Sequence, residues 1–410
     1  MHSTQETSPA QLTALALSIS LGAALSLGLA RFAYALLLPE MRQDLQWSYT
    51  IAGALNTSNA AGYLIGALSA PLLLRRMDAT RLFLLGAVLS CLLLALSGFF
   101  RDSTAWMLLR GMAGVSSAWV FMTGGILAAQ LGARAPECSG LLIGIYYAGA
   151  GLGIIASALS VPAVMAWAAS RVGGQFAAWA WGWWALAAAG LAATAMMLWP
   201  AQVMRPWLRA GQVNAMQSAP KAQLRAYRWP HLLPALMAYS CFGMGYIGYM
   251  TFVIALVKSQ GANASQITVF FTALGIACVA SAPLWARLLK RTDGRPAAVL
   301  NGLLGLATMM AATSQTFAWM LASGVLFGAC FLQVVGSTTA LVRHQWPAAQ
   351  WAQGIALFTI IFAVGQIIGP TLVGWIADGA GGLQRGLAVS ACILWAGAAI
   401  ALWQKPPIKP

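Results

Sequence analysis

Twelve apolar stretches, each long enough to cross a bilayer, fill this 410-residue chain almost end to end. A hydrocarbon core of about 30 Å needs about 20 helical residues. The stretches lie at Leu12–Leu38, Ser48–Leu74, Leu82–Phe100, Ala105–Leu131, Cys138–Trp167 and Ala178–Trp199, then at Leu232–Val257, Gln266–Leu289, Ala297–Ala312, Phe317–Val342, Gly354–Ala377 and Gly386–Trp403. The Leu/Ala/Gly runs are too long for barrel strands, which need only about 10 alternating residues. With 60% hydrophobic and 8% charged residues, this surface cannot be hidden in one soluble core. In lipid every backbone group must be satisfied within the chain, so the expectation is an all-α integral membrane protein.

The net charge of +15 looks at first like a nucleic-acid signature. Its distribution excludes that. Sixteen of the 23 Lys and Arg fall in the segments on the N-terminal side of the bilayer. Five lie opposite (Arg42, Arg101, Arg171, Lys258 and Arg385), and Arg31 and Arg110 lie inside spans. The positive-inside rule then places both termini in the cytoplasm, with the chain multi-pass in a bacterial inner membrane. No soluble basic face remains for a nucleic acid, and the expected partners are membrane lipids and a small-molecule substrate, with no cofactor and no metal. The six cysteines form no CxxC pair and read as small buried hydrophobes. The N-terminus lacks the basic n-region of a cleaved signal, so the first span reads as retained.

Ala201–His231 is polar, carries five Lys/Arg and no acid, and separates six spans from six. It reads as a cytoplasmic linker (201–231) between an N-terminal bundle (1–200) and a C-terminal bundle (232–410). Its charge either fixes topology or rests on the anionic leaflet, where each surface Lys/Arg contributes roughly 1 kcal/mol. The halves resemble each other. Ser69-Ala70-Pro71-Leu72 recurs as Ser281-Ala282-Pro283-Leu284, Gly28 with Arg31 and Tyr34 resembles Gly243 with Tyr246 and Tyr249, and Gly149 and Gly153 resemble Gly365 and Gly369. The offsets are 212, 215 and 216. A duplicated six-helix unit around a central site is the expected architecture. Trp179, Trp181, Trp183 and Trp184 crowd the outer end of span 6 and read as anchors at the lipid–water boundary.

Over nearly its whole length the chain resembles the major facilitator superfamily, and within it the YbfB/YjiJ-type bacterial branch. The cues are GLARFAYALLLPEM in span 1 and AGYLIGAL in span 2. Of the loop 2–3 signature GxxxD(R/K)xGR(R/K), Gly66 fits, Ala70 stands where Asp is expected, and Arg75, Arg76 and Arg81 supply the basic cluster. The second half keeps KRTDGR, Lys290–Arg295. Arg110 and Gly114 match RxxxG in span 4. The antiporter signature of span 5 keeps Gly149, Gly151 and Gly153 but lacks its Pro, and Gly369-Pro370 stands in span 11 instead. The resemblance implies two pseudo-symmetric six-helix bundles, alternating access, and a central cavity faced by helices 1, 4, 7 and 10. It leaves uptake and efflux open.

Arg31 and Arg110 are the most informative side chains, because a charge at the bilayer centre costs roughly 2.5–3.5 kcal/mol on insertion scales. Two roles fit: a cationic site for a carboxylate or phosphate, or an outer gate paired with Glu40, Asp44 or Asp102. Tyr34, Asn59, Tyr63, Tyr146, Tyr246, Tyr249 and Gln333 extend the candidate binding set, and Tyr146 with Tyr147 should supply at least one cavity-facing ring. Asn56 and Gln366 can bind substrate too, but read first as interhelical glue. Candidate gating or coupling residues are Glu40, Asp44, Glu137, Arg75, Arg76, Arg291 and Asp293. All eight acids fall in loops or at span ends. That weakens the alternative of a proton-coupled multidrug or metabolite efflux pump, although a coupling proton can still ride on the substrate. A membrane enzyme would need a His/Asp pair or a carboxylate-held metal, and no such spacing exists. A receptor or scaffold is the third class. The leading expectation is a monomeric secondary transporter of a small anionic or zwitterionic solute.

Overall fold

The computed structural model describes residues 8–171, 176–218, 229–345 and 351–406. Among them every regular element is a helix: α1 (Pro9–Ala23), a π-helical segment (Ala24–Phe32), α2 (Tyr34–Asp44), α3 (Tyr49–Leu73), α4 (Ala79–Ser97), α5 (Ser103–Arg134), α6 (Ser139–Arg171), α7 (Ala178–Ser218), α8 (Leu233–Ser259), α9 (Ala264–Trp285), α10 (Arg295–Thr313), α11 (Phe317–Gln345), α12 (Trp351–Ala377) and α13 (Gly382–Ala401), with short 3₁₀ turns between some of them. Polar side chains set several starts. Ser48, Asp78 and Asp102 each accept an amide of the first turn, and Asn263 with Gln266 makes a capping box.

Eleven of these segments are long and apolar enough to cross a membrane. The twelfth, α3, is long enough at 25 residues but carries Asn56, Thr57, Ser58 and Asn59 in succession. Two expected boundaries change. The first span continues through α2 to Asp44 instead of ending at Leu38, which puts Arg31 farther from its outer end. The sixth span continues as helix to Ser218, so the first part of the expected linker is helical, while 219–228 lie outside the described residues. Arg205 near the inner end of α7 pairs with Asp78 at 3.4 Å, and the Arg134 guanidinium lies over the Trp207 ring at 3.9 Å, tying the extended helix to its own half.

Each half is a six-span bundle. In the first, α3 packs on α5, α4 on α5 and α7, and α1 on α6. In the second, α9 packs on α11, α10 on α11 and α13, and α8 on α12 and α13. The halves meet along two seams, α3 against α12 and α6 against α9, which are equivalent under the repeat. Within each half, small residues allow an equally close approach, of α6 to the first span and of α12 to α8. A methyl added at Gly149 or Gly153 would run into the carbonyls of Ser20 and Ala24, and one added at Gly365 or Gly369 into those of Ser240 and Met244. The same joint thus occurs twice. It aligns Ser20 with Ser240 and Ala24 with Met244, an offset of 220, which corrects the 215 read from the glycine and tyrosine pattern. In this register Thr251 stands where the first half has Arg31.

The tryptophan cluster departs from the anchor reading. Trp179 and Trp183 are 2% and 1% exposed, their rings lie against Trp106, and their indoles donate to Asp44 and to the Met41 sulfur. They fix α7 against α2 and α5 inside the bundle, and only Trp181 and Trp184 keep partial exposure. Cys91, Cys278 and Cys330 are buried as expected, whereas Cys138 and Cys392 are exposed.

Candidate functional site

The π-helical segment Ala24–Phe32 is buried along its whole length and carries Arg31. π-Turns interrupt the regular amide–carbonyl ladder and recur at functional sites. Where the ladder returns to α-helix at Ala33–Tyr34, carbonyls are left short of amide partners. Arg110 supplies a donor. Its Nη1 donates to Ala30 O at 2.8 Å, its Nη2 to Asn56 Oδ1 at 2.7 Å, and its plane lies 4.7 Å from the Tyr34 ring centroid. Asn56 in turn donates to Thr251 Oγ1 of α8 at 2.7 Å, so Arg110–Asn56–Thr251 forms a buried polar chain from one half to the other. Arg110 is 1% exposed; its two Nη atoms brace Ala30 and Asn56 as a strut, while its Nε is buried without a partner.

Arg31 differs. It is 4% exposed, yet it makes no hydrogen bond or ion pair among the described residues, and its Nη2 is buried without a partner. Its guanidinium lies over the Tyr63 ring at 5.4 Å. Gln366 of α12 donates to the Tyr246 hydroxyl, while its own Oε1 is buried and unpartnered. Behind Tyr246 stands an aromatic wall of Phe242, Phe331 and Phe362 in stacked orientation. Phe32, next to Arg31, meets Phe331 edge-on at 5.8 Å. Among the described residues at the junction of the halves, Arg31 is thus a cation without a hydrogen-bonding partner, with polar groups from α3, α8 and α12 near it and aromatic faces behind. Such an arrangement can hold a carboxylate and a small organic body.

The outer-gate role for the two arginines does not match their surroundings. Glu40 pairs with Lys258, Asp44 with Arg101 at 2.9 Å, and Asp102 caps α5. Of the expected binding residues, Arg31, Tyr63 and Tyr246 come together, with Tyr34 and Arg110 adjoining. Asn59 donates to Arg110 O and binds α3 to α5. Tyr249 is stacked on Phe327 at 3.9 Å and bonded to Ser323 inside the second bundle, and Gln333 donates to Ser281 of α9. Tyr146 is fully buried and donates to Phe121 O at 2.6 Å; the exposed neighbour is Tyr147, at 44%, whose ring meets those of Phe121 and Tyr146 edge-on. Among the gating candidates, Arg75, Arg76 and Glu137 are exposed at the basic end, and Asp293 is held there by Arg291 and Arg295. Hydrogen bonds from Thr80 and Arg81 hold the Asp78 carboxyl below the usual carboxylate range, against the opposing effect of burial.

The polar bonds described between the halves all lie from the site toward the end opposite the basic one. Besides Asn56–Thr251 and Glu40–Lys258, Thr57 donates to Ile367 O and meets Thr371 Oγ1, while the Asp378 carboxylate accepts from Tyr49 N, Thr50 N and Thr50 Oγ1 at 2.7, 2.8 and 2.6 Å. Asp378, just past α12, therefore caps α3 of the other half. Burial opposes its ionisation, but these donors prevail and hold its carboxyl below the usual range. Beside this latch a recess of about 650 Å³ is lined by Arg42, Gln46, Trp47, Tyr49 and Lys258 among others, with Gln46 in the left-handed backbone region at φ 54°. The molecule is closed at this end. Thr251 and Asp378 are absent from the binding and gating sets read from the sequence, and Asn56 and Gln366 were read first as glue. Asn56 and Gln366 were visible as amides in apolar helices, whereas Thr251 and Asp378 carried no signal.

Comparisons with known proteins agree with this architecture. Residues 23–402 match the family described as "Uncharacterised MFS-type transporter YbfB". A putative tartrate transporter from Agrobacterium vitis is 32% identical over 152 residues, which cover 36% of this chain and 34% of that protein. The chain therefore spans about a third of that relative's length. Among solved structures, a bacterial homologue of the human lysosomal transporter Spinster, inward-facing and unoccupied, superposes with a TM-score of 0.71 at 12% identity, covering 96% of this chain and 97% of that one. The nucleoside transporter NupG superposes with a TM-score of 0.68 at 13% identity, covering 94% and 98%. These likenesses establish the fold, and the family match over residues 23–402 establishes more: the chain belongs to the YbfB-type family of major facilitator superfamily transporters, and it is not an enzyme.

Proposed function

We propose that this protein is a secondary transporter that moves a small organic anion, or a zwitterion presenting a carboxylate, across a bacterial inner membrane by alternating access. One observation carries the substrate class: Arg31, buried at the junction of the halves, has no acidic or hydrogen-bonding partner among the described residues. An intramembrane charge kept in this condition marks a substrate path. The likeness to a putative tartrate transporter supports the same class, tartrate being an organic dianion. The basic end faces the cytoplasm on the positive-inside rule, with both termini on that side, and the two halves, joined through 201–231, rock as a monomer about the site. In the arrangement described, the latch closes the outer end. Export of lipophilic cations is disfavoured, because such pumps use an intramembrane carboxylate and all eight acids lie at span ends or in loops.

The test is thermal stabilisation of the purified full-length protein by organic acids, amines and sugars. A ligand at 100 times its Kd stabilises the folded state by about 2.7 kcal/mol. Organic acids should raise the midpoint, and Arg31→Gln should abolish the rise while leaving the unliganded midpoint close to the wild type. Stabilisation by amines or sugars alone, or by acids undiminished in Arg31→Gln, would reject the proposal.

A further inference from the structure

We infer that the transport cycle is an exchange, in which the carrier crosses between its two orientations readily with an anion aboard and poorly when empty. The inference rests on the proposed anion site and adds the coupling mode to it.

The argument is an account of charge. Arg31 is without a partner, and Arg110 is bonded only to neutral acceptors, Ala30 O and Asn56 Oδ1. The acids of the same half cannot compensate them. Glu40 is held by Lys258, Asp44 by Arg101 and Trp179, and Asp102 by the first turn of α5. Each turnover passes through an intermediate closed at both ends, from which bulk water is excluded. An unpaired charge in that setting is costly, while a well-paired one is largely compensated. A bound anion supplies the pairing. An empty carrier must close over bare positive charge. A proton cannot take the anion's place, since it would add charge of the same sign, and the carboxylates of the first span, Glu40 and Asp44, stand at its outer end already paired with Lys258 and Arg101. The carrier therefore resets by taking an anion back: one leaves, one returns, and no bond is made or broken.

The geometry also offers a way to undo the coupling. Asn56 touches Arg110 directly, and Asn56→Asp is the same shape with a negative charge. This variant carries its own counter-ion through the closed state.

The full-length protein is placed in lipid vesicles, with valinomycin and potassium clamping the membrane potential so that charge build-up does not limit net flux. Influx of labelled tartrate, malate and lactate is measured into vesicles preloaded with the same unlabelled acid, and into vesicles holding only HEPES. For at least one acid, preloading should accelerate influx tenfold or more, and in Asn56→Asp that ratio should fall toward one. Equal influx with and without preloading would overturn exchange while leaving anion transport standing. A ratio unchanged in a transport-competent Asn56→Asp would overturn the charge account. Absence of influx under both conditions would overturn this inference together with the transport reading on which it rests.

Discussion

Asp378 sits outside the membrane, yet it should decide how often the outer end opens. Its carboxylate receives three short hydrogen bonds from the first turn of α3, where the helix dipole favours negative charge. Asp378→Asn keeps the shape, removes the charge and leaves one amide oxygen to accept. A charge-assisted bond at a helix start contributes about 0.3–1 kcal/mol where solvent screens it, and Asp378 is exposed. Two weakened bonds and the lost charge together give about 1 kcal/mol, roughly a fivefold shift toward the outward-open form. Spin labels at Gln43 and Ala380, both exposed at the outer end, would read the separation of the halves, with Cys138 and Cys392 replaced by serine. The long-distance population should grow about fivefold. A distance distribution identical to the wild type would show that the latch carries no weight. The sign of the pH effect follows from the depressed carboxyl. The latch is fully formed above the ordinary Asp value of 3.8 and is lost only as pH falls through the lower folded value. Opening should therefore not vary between pH 5 and 8 on account of this group.

Exchanging the charges of Glu40 and Lys258 gives a related test. Either single reversal should favour outward opening by no more than about 1 kcal/mol, and the double reversal should restore the wild-type distance distribution. Gly149→Ala and Gly365→Ala each push a methyl into a facing carbonyl and should lower thermal stability by about 1–3 kcal/mol, whereas Gly140→Ala, with nothing nearby, should be close to neutral. Arg110→Lys cannot span Ala30 O and Asn56 Oδ1 together, so it should destabilise the protein by about 1–3 kcal/mol while preserving part of the stabilisation by organic acids; complete loss of that response with normal stability would move Arg110 from strut to ligand.

Span number, the central charges and the duplication were legible because they depend on residue type and on coarse spacing. The second stretch, α3, is less apolar than the other eleven for a physical reason: its Thr57, Ser58 and Asn59 side chains donate to carbonyls of α12 and α5, so the helix need not be apolar throughout. The different fates of Arg31 and Arg110 were not legible. Both are arginines in apolar helices, and only the freed carbonyl of the π-helical segment makes one of them a strut. That segment has no marker of its own, since ALSLGLARF would sit equally well in an α-helix. Tyr146 and Tyr147 are adjacent in sequence and project in different directions, so a tyrosine pair signals one wall-facing ring without saying which. Asp378 looks like any loop acid until α3, more than 300 residues earlier, is placed beside it.

The glycine joints carry a last consequence. Gly53 and Gly374 lie against main-chain atoms of Pro370 and Tyr49, and Gly151 and Gly275 lie against each other. Surfaces built of backbone present few knobs to ride over, so they work as smooth bearings with no strongly preferred angle. The resistance to turning then resides in whatever is fastened at either end of the bearing, and the protein can be retuned to a new membrane or a new solute by altering a few fastenings while the bearing stays as it is.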